Sequence, residues 1–220
     1  MKLYFKISYA MKKIYKKYQL LIKIGCFIII FLMSNNCNSQ NKYEILKNKI
    51  EPLSNNNIEV IEFLSYMCHH CTALENILNQ WQSSLPADVT LIKIPVSSNK
   101  RSEDLQKLYL TINEINKPYL HGELFHMFAK EKKSIKNVRD LTDWLKNKDI
   151  NTNEFLELYN SFYIQSKSNR FNQLAKLCEI KGVPSFIIGG KYITSPAIAG
   201  DEYECTLSTI DHLIEKLRKE

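Results

Sequence analysis

The chain has 220 residues, 45% of them hydrophobic and 24% charged, with six Gly and six Pro, which fits one ordinary domain or one domain with an insertion and excludes a disordered, collagen-like or multi-span membrane protein. A net charge of +7 would suit a nucleic-acid binder until the charges are located. Seven of the 30 basic residues fall in the first 39, which hold no Asp or Glu, so residues 40–220 carry 23 basic and 23 acidic side chains. No nucleic-acid partner is therefore expected, and the dense run Ala129–Lys136 reads as a solvated face.

Lys12, Lys13, Lys16 and Lys17 precede an apolar stretch from Leu20 to Met33, and polar residues follow. That order is the order of a secretory signal. Its uninterrupted apolar part, Ile24–Met33, is ten residues long, whereas a spanning helix needs about 20. Residues 1–39 are expected to be a cleaved signal peptide, with Met11 as a tidier start and Cys37-Asn38-Ser39 as the cleavage region. Lipidation of Cys37 is the competing reading, although Ser34-Asn35-Asn36 makes a poor lipobox. Export would place Cys68, Cys71, Cys178 and Cys205 where disulfides form and persist.

In the body, Ile58–Leu64 is short, apolar and β-rich, as suits a strand buried on both faces. Leu74, Ile77, Leu78 and Trp81 then recur at helical spacing, and Pro86 ends that helix. Val89–Val96 is the next strand, so a right-handed βαβ unit with parallel pairing is predicted. From Ser102 the strand signals stop, and Glu103 and Asp104 favour a first helical turn. Amphipathic segments at Leu105–Ile115, Pro118–Lys130, Val138–Lys146 and Glu154–Phe162 make residues 103–165 a helical insertion. A further helix is predicted at Asn169–Ile180. Gly189-Gly190 between two β-rich runs signals a two-residue hairpin, and Leu207, Ile210, Leu213, Ile214 and Leu217 define a last helix. The order describes an α/β, thioredoxin-like core, residues 40–102 and 166–220, interrupted by a helical domain.

Cys68-His69-His70-Cys71 stands where the first strand hands over to its helix. Cysteines three apart on one turn face the same side, close enough to bridge reversibly. Cys68 lies at the helix mouth, where free amides and the positive dipole end stabilise a thiolate, and His69 and His70 can add hydrogen bonds or positive charge. Each unit of depressed pKa stabilises the dithiol by about 1.4 kcal/mol, or roughly 30 mV in a two-electron couple, which makes the disulfide a stronger oxidant. The competing readings are a passive bridge and a metal site, but no second CxxC or HxxxH accompanies the motif.

VIEFLSYMCHHC (Val60–Cys71), GVPSFIIGGKY (Gly182–Tyr192) and the helical block between them closely resemble the DsbA family of periplasmic thiol:disulfide oxidoreductases. The resemblance covers nearly all of residues 43–220. It implies that Cys68 is the exposed nucleophile, that Cys71 is its buried partner, and that Pro184 is a cis-proline facing the disulfide. It further implies that Val183 offers backbone groups to a bound peptide, and that Glu62 is a buried acid handling the proton of Cys71. The family's usual CPHC is here CHHC, with His69 in place of Pro and His70 retained.

The resulting expectation is an exported oxidase that donates its Cys68–Cys71 disulfide to folding proteins through a mixed disulfide, with no cofactor beyond that disulfide. A DsbB-like membrane protein would reoxidise it. About 20 residues separate the signal from the first core strand, too few for a dimerisation domain, so a monomer is predicted. The alternatives are an isomerase or reductase of the same fold, or a metal-binding thioredoxin-like module. Cys178 and Cys205 read either as small buried residues or as a second bridge, which would stabilise the fold by roughly 3.5 kcal/mol. His121, His126 and His212 show no ligand spacing and read as packed or surface residues.

Overall fold

Ile58–Leu64 forms strand β2, an interior strand of a five-stranded sheet of order β1-β5-β4-β2-β3. The computed structural model describes residues 42–53, 58–129, 135–146 and 148–220, all within one compact unit, Ser39–Glu220. The signal peptide expected at 1–39, Cys37 and most of the basic run lie outside the described residues. Among the described residues no helix is long and apolar enough to cross a membrane.

From β2 the chain enters α1 (His69–Ser83) and returns as β3 (Val89–Pro95), parallel to β2 from Ile58↔Val89 to Leu64↔Pro95. On the other side of β2, β4 (Ser185–Ile188) runs antiparallel, followed by β5 (Tyr192–Thr194). An edge strand, β1 (Glu44–Ile45), pairs with β5; two residues are too short to give a sequence pattern. The β4–β5 connection is one residue longer than expected. Ile188 pairs with Tyr192, and Lys191 N–H closes on the Ile188 carbonyl at 3.1 Å. Gly189 and Gly190 both take positive φ, +56° and +64°, and a Cβ on Gly190 would meet the Ile50 carbonyl oxygen at 2.2 Å, so glycine is required there.

Successive β2 residues point to opposite faces. Val60 packs with Leu74 and Leu78 of α1 and with Ile210 and Leu213 of the final helix, α8 (Tyr203–Leu217). Ile61 and Phe63 pack on the other face with Ile94, Ile187 and the partly buried Phe171 and Leu174 of α6 (Phe162–Leu177). A short helix, α7 (Pro196–Ala199), links β5 to α8.

Between β3 and α6 lie α2 (Lys100–Glu114), α3 (Tyr119–Ala129), α4 (Val138–Leu145) and α5 (Thr152–Tyr159). Three of these begin at asparagine caps. Asn99 accepts from Ser102 N–H, Asn137 from Asp140 N–H and Asn151 from Asn153 and Glu154 N–H, each satisfying amides that a helix start leaves free. The cap at Asn99 starts α2 earlier than the acidic pair suggested. Ser161 likewise caps α6 by accepting from Ile164 N–H, so this helix begins at Phe162 rather than near Asn169, and α5 ends at Tyr159. The buried cluster of these helices, including Leu105, Leu108, Ile112, Leu124 and Phe155, also encloses Leu64, Tyr66 and Cys71. The end of β2 and the start of α1 thus rest in the core of the insertion.

Candidate active site

Cys68 is the N-cap of α1, in extended conformation (φ −93°, ψ 116°), and its sulfur accepts from Cys71 N–H at 3.3 Å. Sulfur here fills the capping role that Ser, Thr or Asp usually take. Both cysteines are free thiols; Cys68 is half-buried and Cys71 fully buried. The ionisation of Cys68 is lowered to about 6, first by a hydrogen bond from the Cys71 thiol, against burial, and then by the amides of Cys71 and His70 and the charge of His69. Cys71 is pushed far upward, by its hydrogen bond to Cys68, by burial and by the Cys68 charge. One cysteine is thus poised as thiolate and the other as thiol. The largest contribution comes from the second cysteine, which an argument from helix dipole and histidines alone omits.

The two histidines divide their work differently from the sequence expectation. The His70 ring Nδ1 is hydrogen-bonded to the Tyr203 hydroxyl at 3.0 Å, so what His70 offers the sulfur is its backbone amide. The His69 and His70 rings lie 3.9 Å apart, and His69 acts through space. Tyr203, the first residue of α8, was not anticipated; 133 positions separate it from His70.

Across from α1, the Val183–Pro184 peptide bond is cis, and the Cys68 thiol donates to the Val183 carbonyl at 3.2 Å. Beside these residues opens a cavity of about 460 Å³, lined among others by His70, Val183, Pro184, Ile45, Pro196 and Ile198. Its lining is mostly apolar but also includes the charged residues Glu44, Lys47, Glu179, Lys181 and Asp201.

Glu62 lies on the α1 side of β2 and is 1% exposed. Burial pushes its carboxyl up to about 8, against the opposing charge of Lys93; Glu75 and Cys68 add to the rise. Lys93 is directly opposite Glu62 in the β2–β3 register, but its ammonium sits 3.9 Å from Glu62 Oε2 and only 2.8 Å from Glu75 Oε1. Glu62 Oε2 has no hydrogen-bond partner. Glu75 therefore holds the lysine, and Glu62 stays protonated near neutrality.

A family model described as DSBA-like thioredoxin domain matches residues 88–207. Thiol:disulfide interchange protein DsbA of Bordetella parapertussis is 35% identical over 162 residues, covering 74% of this chain and 78% of that protein. The chain belongs to the DsbA family. DsbA of Pseudomonas syringae pv. tomato is 33% identical over 162 residues, covering 73% of this chain and 75% of that one. The crystal structure of Pseudomonas aeruginosa DsbA aligns with a TM-score of 0.77 at 30% identity, over 81% of this chain and 93% of that one. As a DsbA-family protein the chain is an enzyme, a thiol:disulfide oxidoreductase on a thioredoxin-like α/β fold with inserted helices. Members of the family work through a redox-active disulfide and act on substrate proteins.

The remaining DsbA-family cysteines resolve one open alternative. Cys178 carries a free thiol while Cys205 is disulfide-bonded, so the two do not pair with each other. Cys178 caps the C-terminal end of α6, and Cys205 lies in the first turn of α8 on another side of the sheet. Among the described residues no three His, Cys, Asp or Glu are grouped to hold a metal ion. His121 is buried in the insertion, and His126 and His212 are exposed.

Proposed function

We propose that this DsbA-family protein is an oxidase that donates a Cys68–Cys71 disulfide to reduced, folding exported proteins. A substrate thiolate attacks Cys68 Sγ, the Cys68–Cys71 bond breaks, and a mixed disulfide forms while Cys71 leaves as a thiolate and takes up a proton. A second substrate thiolate then attacks the substrate sulfur of the mixed disulfide and releases Cys68 as a thiolate. Two electrons pass from substrate to enzyme, and the substrate gains a disulfide. The observation that carries this reading is the split between the pair: Cys68 with its ionisation lowered to about 6 is a good leaving group, and stabilising the dithiol makes the disulfide oxidising.

Glu62, neutral and buried behind the pair, would supply and take back the proton of Cys71. Val183 and cis-Pro184 would form the floor on which the substrate backbone lies, and the neighbouring cavity, mostly apolar with charged residues in its lining, suits a side chain of an unfolded segment. His69 and His70 would tune the thiolate by charge and by amide, respectively.

The same reading takes residues 1–39 as a cleaved signal peptide, the periplasm as the working compartment and a DsbB-like membrane protein as reoxidant. It treats the protein as a monomer that binds no nucleic acid and carries no cofactor. Residues 40–102 and 166–220 would make the redox core and 103–165 the insertion, with α6, which straddles residue 165, common to both. Transfer to a reduced, unfolded substrate tests the proposal: Cys68→Ser is expected to abolish it and Cys71→Ser to trap mixed disulfides. Full transfer by the first variant would rule the mechanism out, and a strongly reducing potential against glutathione would favour the isomerase or reductase.

A further inference from the structure

Tyr66 is the one residue of the β2–α1 loop whose side chain enters the helical insertion as a fully buried group with a polar tip: it is 3% exposed. Its ring is edge-on to Phe125 at 4.9 Å and tilted against Tyr109 at 5.8 Å. At the tip, the Tyr66 hydroxyl is hydrogen-bonded to His121 Nδ1 of α3, and His121 Nε2 meets Asn113 Oδ1 of α2 at 2.8 Å. An amide oxygen only accepts, so Nε2 carries the proton and Nδ1 accepts from Tyr66 O–H. The His121 ring stacks on Tyr109 at 4.2 Å. Burial, together with the nearby Lys93 charge, lowers its ionisation to about 4, which keeps the ring neutral and the direction of both bonds fixed.

Two further bonds are internal to the loop: Cys68 N–H closes on the Ser65 carbonyl at 3.0 Å and Met67 N–H on Ser65 Oγ at 3.2 Å, so they would travel with the loop if it moved. At its far end the Cys68 carbonyl accepts from Thr72 N–H of α1 at 3.1 Å. Cys68, two residues after Tyr66, depends on its placement: as a thiolate its sulfur accepts from Cys71 N–H at 3.3 Å, a distance at which a shift of a few tenths of an ångström weakens the bond.

We propose that His121 is a positioning residue for Cys68: through Tyr66 it moors the active-site loop to the inserted helices and so holds the sulfur against the amides of α1. The proposal rests on the reading of Cys68 as the nucleophile. Its test is the thiolate absorbance titration of reduced Tyr66→Phe, His121→Phe and the double variant, with reduction potentials measured alongside. Each single variant is expected to raise the Cys68 midpoint by about half a unit or more, roughly a threefold loss of thiolate below the midpoint. The double variant should move it no further than the larger single one, because both cut the same chain. Midpoints within about 0.2 of the parent protein, even with a lowered melting temperature, would overturn it and leave the network a packing feature. If His121→Phe does not fold, Tyr66→Phe, which removes a single oxygen, decides alone. Failure of the nucleophile reading would show separately, as transfer retained by Cys68→Ser.

Discussion

Cys68 and Cys178 occupy opposite ends of two helices. Cys68 is the N-cap of α1, half-buried, with its ionisation lowered to about 6. Cys178 is the C-cap of α6, buried at the edge of an apolar cluster, and burial pushes it up to about 11. At a helix start amide N–H groups converge on the sulfur, whereas at a helix end the carbonyl dipoles face it and oppose an anion. Reactivity is a property of where the chain puts the sulfur, and the same chain makes one nucleophile and one inert packing residue.

The contrast is broken most directly by alkylation. At pH 7 the thiolate fraction favours Cys68 by about 10⁴, and the weaker intrinsic nucleophilicity of a low-pKa sulfur returns about 10² of that. Reduced protein treated with iodoacetamide should therefore be modified at Cys68 at least about a hundredfold faster than at Cys178, before the burial of Cys178 slows it further. Comparable rates, read by peptide mass spectrometry, would erase the distinction.

Glu62 carries the comparison to a carboxyl. Its folded-state value of about 8 stands above the 4.5 of an unburied group, so the folded protein binds more protons than the unfolded chain between those values. Stability is therefore lost as pH rises through that window. Glu62→Gln should remove the loss, stabilising the protein by roughly 3 kcal/mol at pH 7 and by almost nothing at pH 4. Denaturant midpoints at the two pH values measure this, and an equal gain at both would contradict the burial argument.

A smaller effect sharpens the contrast from the Cys68 side. Cys71→Ala deletes the thiol that contributes most to lowering Cys68, and the Cys68 midpoint should rise by about one unit, the scale of one hydrogen bond to a charged group. His69→Ala should move it less, because the His69 charge is the weakest of the contributions and solvent screens it. The reverse order would mean that charge, not hydrogen bonding, poises the thiolate.

Legibility followed period and length. β2 and β3 were readable as short, β-rich apolar runs, and α1 and α8 because their apolar residues recur at helix spacing over fifteen residues. Helix starts were less so, since Asn99, Asn137, Asn151 and Ser161 cap through single side chains that also suit loops. The cysteine pair was legible as a local motif. Glu62 and Lys93 left a trace, each a charge inside a largely apolar strand, and the parallel register sets them face to face. Tyr203 against His70 and Tyr66 against His121 left none, because only the folded sheet and insertion bring such distant positions together.

The central claim is that Cys68 is held as a thiolate at the mouth of α1. Absorbance of the reduced protein at the thiolate band, followed from acid to alkaline pH with Cys68→Ser as the blank, measures it most directly. The expected midpoint is near 6. A midpoint at or above about 8.5, that of an ordinary free cysteine, would contradict the account.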